Sequence, residues 1–275
     1  MRDRNLALRV ITAVIAVSIV IPALIWSAYG MWLFCVVVSM VALWEFLRLM
    51  DIRQGHYLWT LLGLGLLYWL IRLLQQALPH SDLAYAENTV GVLSLPLMML
   101  VALFDPALEQ PERRLGHMSL GMLYCYLPLV LFYDFSLRDP QTLQYDFRLP
   151  FGVLFLTWTL DVVAYFTGRW MGRRPLYQRI SPKKTWEGSI GGALGCLAMA
   201  AGMQALFQPS SYHWVVIAAI ISVFSQLGDL AESMFKRSAQ LKDSGSILPG
   251  HGGMLDRFDG LFVSAPFIYL YFLWN

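Results

Sequence analysis

Between Ser233 and Asp259 the chain reads SMFKRSAQLKDSGSILPGHGGMLDRFD, a polar segment lying between two long apolar runs. It carries the cations Lys236, Arg237, Lys242 and Arg257 and the acids Asp243, Asp256 and Asp259. A further acid, Asp229, stands just upstream inside the preceding apolar run, WVVIAAIISVFSQLGDLAESMFKR. Carboxylates surrounded by cations, where an apolar phase meets water, suit the binding of metal-bound phosphates. An ionised carboxylate inside a bilayer costs at least about 2.5 kcal/mol, so Asp229 is a functional candidate unless a cation on another helix neutralises it. On a helix, Asp229, Glu232 and Ser233 share one face, which Lys236 and Arg237 continue; for Glu232 a structural ion pair is the preferred reading.

Asp256 and Asp259 are three residues apart and face the same way at the start of a last helix. Oxygen-rich acidic sites with incomplete protein ligation suit Mg²⁺, which keeps waters and takes substrate phosphates as further ligands. The alternative makes Asp256 an N-cap and Asp259 a first-turn acid favoured by the helix dipole. That accounts for each acid singly, but not for their occurrence with Asp229 and a cationic loop. Pro249-Gly250-His251-Gly252-Gly253 can bring backbone N–H groups close to an anion, because glycine tolerates positive φ. Alone, such a run is more often just a turn. His251 reads equally as a phosphate donor or as a partner of an acid.

A second basic stretch, GRWMGRRPLYQRISPKKTWEGSIGG, holds Arg169, Arg173, Arg174, Arg179, Lys183 and Lys184, with Ser181, Thr185 and Glu187 among them. Attraction to anionic lipid headgroups accounts for Arg173 and Arg174. The run Ser181-Pro-Lys-Lys-Thr-Trp-Glu-Gly188 is expected to open a membrane span, its hydroxyls and lysines docking a triphosphate or a lipid phosphate at a helix N-terminus. Asp161 lies within another apolar run; it either contacts this polar site or pairs with a buried cation. Glu45 and Asp134, near span ends, are assigned no role.

These residues need a scaffold. Of 275 residues 57% are hydrophobic and 14% charged, against about 25% charged in soluble domains; the chain is read as an all-α integral membrane protein. A span needs about 20 apolar residues, and nine stretches qualify: 7–29, 31–49, 57–77, 89–105, 115–135, 150–171, 188–207, 214–235 and 259–274. The first is too long for a signal-peptide core and is read as a retained helix. Lys and Arg favour cytoplasmic loops. With the N-terminus inside, 17 of the 20 fall on the cytoplasmic side, leaving Arg72, Arg138 and Arg148 outside. The C-terminus is then periplasmic, and the long polar loops 172–187 and 236–258 are cytoplasmic, where nucleotides are available. Residues 1–149 are read as a scaffold of about five spans and 150–275 as the catalytic region. Cys35, Cys125 and Cys196, far apart in apolar runs, read as buried small side chains. The aromatic residues near span ends read as an interfacial belt, not a base-stacking surface.

The pattern Ser233-x-Phe235-Lys236-Arg237, Lys242-Asp243-x-Gly245, Leu248-Pro249-x-His251-Gly252-Gly253-Met254-x-Asp256-Arg257-Phe258-Asp259 resembles the motif of phosphatidate cytidylyltransferases, also called CDP-diacylglycerol synthases. Asp161 to Gly172 and Ser181 to Gly188 resemble stretches of the bacterial members. The resemblance covers the C-terminal half; residues 1–150 match only in hydropathy. It implies an inner-membrane, Mg²⁺-requiring enzyme that joins CTP and phosphatidate into CDP-diacylglycerol and pyrophosphate. It further implies that Asp229, Asp256 and Asp259 are the metal-binding acids, for one or two cations. Lys236, Arg237, Lys242, Arg257, Ser181, Lys183 and Lys184 then become phosphate contacts, with Asp161, Thr185, Glu187, Ser233, His251, Gly252 and Gly253 lining the substrate site. The expected partners are CTP, phosphatidic acid and the bilayer, with no nucleic acid; a homodimer is among the assemblies left open. The rival readings are a CDP-alcohol phosphotransferase, whose DGxxAR…GxxxDxxxD arrangement is absent here, and a non-catalytic lipid-binding or transport protein, for which no duplicated broken-helix pattern is found.

Overall fold

Backbone polar groups find no partner in lipid, so apolar runs of span length close their hydrogen bonds internally as helices. In the computed structural model, residues 14, 17–52, 55–78, 84–105, 110–137, 145–206, 213–245, 247 and 252–274 are described. The elements are α1 (Val17–Trp26), α2 (Ala28–Leu49), α3 (Gly55–Ala77), α4 (Ala84–Leu103), α5 (Pro111–Gly121), a π-helical segment (Met122–Tyr126), α6 (Leu127–Ser136), α7 (Arg148–Met171), β1 (Pro175–Tyr177), β2 (Ser181–Thr185), α8 (Trp186–Leu206), α9 (Trp214–Ser238) and α10 (Leu255–Trp274). Among the described residues six helices are long and apolar enough to cross a membrane: α2, α3, the continuous Pro111–Ser136 helix, α7, α8 and α9. α1 and Thr89–Leu103 are shorter apolar helices, and α10 carries Asp256, Arg257 and Asp259 in its first two turns. Among the described residues the protein is all-α apart from one small two-stranded hairpin, and it is a membrane protein by its apolar helices.

That hairpin corrects one expectation. The run from Ser181 does not open a helix; β2 pairs antiparallel with β1, Pro175 opposite Thr185 and Tyr177 opposite Ser181. The helix starts only at Trp186, because Thr185 takes the capping position and its Oγ1 accepts a hydrogen bond from the Gly188 N–H at 3.2 Å. The other polar loop is shorter than the apolar runs imply. α9 continues through Lys236 and Arg237 to Ser238, and α10 begins at Leu255, not at 259.

The chain divides into two units: Met1–Asp146 with Asp243–Leu255, and Phe147–Lys242 with Asp256–Asn275. In the first, the core gathers large aromatic side chains, Phe46, Tyr57, Trp69, Phe132 and Tyr133. Their polar tips are satisfied, as buried tips must be. The Trp69 indole donates to Ser39 Oγ at 3.0 Å, the Trp32 indole to the Trp69 carbonyl at 2.8 Å, and the Tyr126 hydroxyl to the Gly65 carbonyl at 2.7 Å. Arg72 pairs with Asp134, which gives that acid a structural role.

In the second unit small residues let helices approach closely, the usual basis of helix association in lipid. A Cβ added to Gly188 of α8 would stand 3.0 Å from Gly168 Cα of α7. One added to Gly228 of α9 would stand 3.2 Å from Gly260 Cα of α10. Overpacking costs about 1–3 kcal/mol, so Gly228→Val is expected to lower the Tm in detergent clearly. Gly202→Val, where an added Cβ meets nothing within 4 Å, should leave it unchanged. Equal Tm values for both variants would contradict this packing.

Candidate active site

The close crossing at Gly228 and Gly260 brings together the residue after the first and the residue before the second, Asp229 and Asp259. Glu232, one helical turn beyond Asp229, joins them. Each of the three carboxylates offers an oxygen within 4.8 Å of the other two. Asp229 also pairs with Lys184 of β2 and accepts a hydrogen bond from Ser233 Oγ at 3.4 Å. Asp259 accepts from the Gly260 N–H at 2.8 Å. Asp161 of α7 lies within electrostatic reach of Asp229 and of the cations Lys184 and Arg257.

Asp256 faces Lys236, whose Nζ stands 2.6 Å from Asp256 Oδ1 and also pairs with Glu232. The Lys236 side chain is 14% exposed, between acid side chains that are 1% and 8% exposed. Two nearly buried acids thus share one cation, and Lys236 acts as the electrostatic link between α9 and the start of α10. The third acid drawn into reach of Asp229 and Asp259 is therefore Glu232, not Asp256. The signal for it was in the sequence, as the i+3 partner of Asp229 on the same face, but a single helix cannot say which of its acids meets a neighbour.

The remaining sequence candidates spread around this core. Lys183 and Lys242 are exposed, and Ser181 and Lys184 are half-buried. Arg237 reaches from α9 to the hairpin, its Nε donating to the Ile180 carbonyl at 3.4 Å. Arg257 is exposed on α10. Thr185 caps α8, and Glu187 accepts from the backbone N–H groups of Arg173 and Arg174 at 3.0 and 3.2 Å. Both therefore hold the hairpin against the helix start. Gly252 has φ of 85°, a conformation that demands glycine, and Gly253 is buried. His251 lies outside the described residues.

Among the described residues the three carboxylates are joined by no nitrogen or sulfur donor, a hard-oxygen set that fits Mg²⁺ or Ca²⁺ and does not favour zinc or copper. The cations Lys183, Lys184, Arg237 and Arg257 stand on the same unit. The arrangement can therefore receive a polyanion together with a divalent ion.

Residues 7–274 match the family model described as "Cytidylyltransferase family". The chain is 32% identical over 267 residues to a phosphatidate cytidylyltransferase of Bacillus subtilis, covering 95% of each. It is 34% identical over 274 residues to one of Brucella abortus, covering 97% of this chain and 93% of the relative. It is 32% identical over 265 residues to one of Staphylococcus haemolyticus, covering 94% and 96%.

Proposed function

The chain belongs to the cytidylyltransferase family, and on that premise we propose that it transfers the cytidylyl group of CTP to phosphatidic acid, giving CDP-diacylglycerol and pyrophosphate in phospholipid biosynthesis. The observation that carries the chemical reading is the meeting of Asp229, Glu232 and Asp259 within 4.8 Å of one another, bordered by Lys184 and Lys236. Nine spans, with the N-terminus cytoplasmic, remain the proposed topology; it puts the hairpin and the 239–254 loop on the cytoplasmic face of the inner membrane, on the strength of the 17-to-3 cation bias.

The nucleophile needs no general base, since a phosphate monoester has a second pKa of about 6 and is already an oxyanion at neutral pH. What opposes reaction is repulsion between two anions and the charge that builds on departing pyrophosphate. Asp229, Glu232 and Asp259 would hold Mg²⁺, with Asp256 adjoining through Lys236. Such an ion supplies neutralisation of phosphate charge in an in-line displacement. Lys184, which pairs with Asp229, would offer its ammonium to a phosphate oxygen at the edge of the acid cluster. Lys183, Arg237, Lys242 and Arg257 offer exposed or reachable positive charge to triphosphate and lipid headgroup.

The test of the function is pyrophosphate release by the purified protein in detergent with CTP, phosphatidate and Mg²⁺. Release that depends on both substrates and stops with EDTA is expected. CMP release, or stoichiometric lipid binding without pyrophosphate, would contradict the reading. Within that assay Lys184→Met is expected to lower kcat/KM for CTP by roughly 10²-fold, the usual effect of losing one charge-stabilising donor. Arg179→Met, at an exposed cation of the same hairpin, should stay within about threefold; equal effects would show that Lys184 acts only through the net charge of the hairpin.

A further inference from the structure

Glu45 of α2 is 1% exposed and lies in the half of the chain where no motif was found. Its Oε2 accepts the Leu255 N–H at 2.8 Å and faces Ser244 Oγ at 3.4 Å. Leu255 is the first residue of α10, and its N–H is one of the donors that a helix start leaves without an internal partner. Such donors are normally met by the side chain just before the helix. Here that residue is Met254, which has no such acceptor, and a carboxylate 210 positions away in sequence does the work. A negative charge at that end of α10 is also favoured by the helix dipole.

The same side chain explains two glycines of the polar segment. A Cβ added to Gly245 would lie 2.9 Å from Glu45 Cδ, and one added to Gly253 would lie 2.7 Å from it. Ser244, Gly245, Gly253 and Leu255 therefore gather around the carboxylate, the two glycines at a distance only glycine permits. Glu45 thus holds Ser244 and the first residue of the helix that presents Asp256 and Asp259 immediately afterwards.

We infer that Glu45 is a positioning residue for the transfer reaction: it anchors the start of α10 and so sets where the acids of its first two turns stand. The inference rests on the function proposed above. Misplacing reacting groups by about 1 Å can cost roughly 10²-fold in rate, whereas Lys183 and Lys184, proposed to meet substrate, stand on β2, a different element. Glu45→Ala should therefore lower kcat by roughly 30- to 100-fold while the KM values for CTP and phosphatidate change by less than about threefold. Glu45→Gln, which keeps one acceptor for the Leu255 N–H, should recover a large part of that loss.

The experiment measures kcat and KM for full-length wild type, Glu45→Ala and Glu45→Gln in detergent. Hydrogen exchange of the peptide covering 252–258 is followed in the same samples without substrate or metal. Faster exchange there in Glu45→Ala than in Glu45→Gln, with the kcat losses in the same order, supports the inference. Wild-type turnover accompanied by a Glu45→Ala kcat within threefold would overturn the positioning role alone. So would a kcat loss that merely tracks the unfolded fraction, with exchange at 252–258 unchanged. A wild type that releases no pyrophosphate would instead sink the functional reading, and the exchange comparison would still report whether Glu45 holds the helix start.

Discussion

Asp259→Asn is expected to lower kcat by roughly 10³-fold, at or beyond the upper end for removing one preorganised electrostatic contact, while the protein still inserts and folds. The substitution preserves size and one carbonyl oxygen but removes a formal charge from a set of three carboxylates within 4.8 Å of one another. Like charges that close repel by a few kcal/mol at an effective dielectric near 20. Taking one away should therefore leave the Tm of the metal-free protein equal or raise it. The upward Tm shift that Mg²⁺ produces in the wild type, through preferential binding to the folded state, should shrink or vanish. Loss of activity together with a lower metal-free Tm would instead mark Asp259 as a structural acid.

Lys236→Met should have the largest effect on stability. The ammonium stands between Glu232 and Asp256, both nearly buried, and removing one partner of a buried ion pair leaves uncompensated charge at about 3–5 kcal/mol. A fall in Tm of many degrees is expected, with turnover lost. The double variant Lys236→Met/Glu232→Gln removes one of the stranded charges and should regain much of the Tm without regaining turnover, because Glu232 is one of the three converging acids. If the single variant melts like the wild type, Lys236 is a solvated surface cation and the link between α9 and α10 must be sought elsewhere.

What the sequence made legible follows the reach of local geometry. The face of α9 that carries Asp229, Glu232, Ser233 and Lys236 could be read from helical spacing alone, and the apolar runs announced the helices. Contacts between elements distant in sequence could not be read. Nothing near Lys184 says that it meets Asp229, 45 positions on, and nothing near Glu45 says that it caps α10. The hairpin was missed because Pro182 and the lysines around it look like a helix start, which Thr185 actually provides. Glycine at 228 and 260 proved as informative as the acids beside them, since their missing side chains are what let Asp229 and Asp259 meet. The choice of Glu232 over Asp256 as the third acid depended on that crossing and on Lys236 drawing Asp256 to itself.

The most direct test of the shared-acid site is Mn²⁺ binding followed by electron paramagnetic resonance in the purified, substrate-free protein. A saturable site should be present in the wild type, be displaced by Mg²⁺, and weaken at least tenfold in Asp229→Asn and in Asp259→Asn alike, while Asp51→Asn, an exposed acid of the other unit, leaves it untouched. Undiminished Mn²⁺ affinity in both site variants would contradict the account.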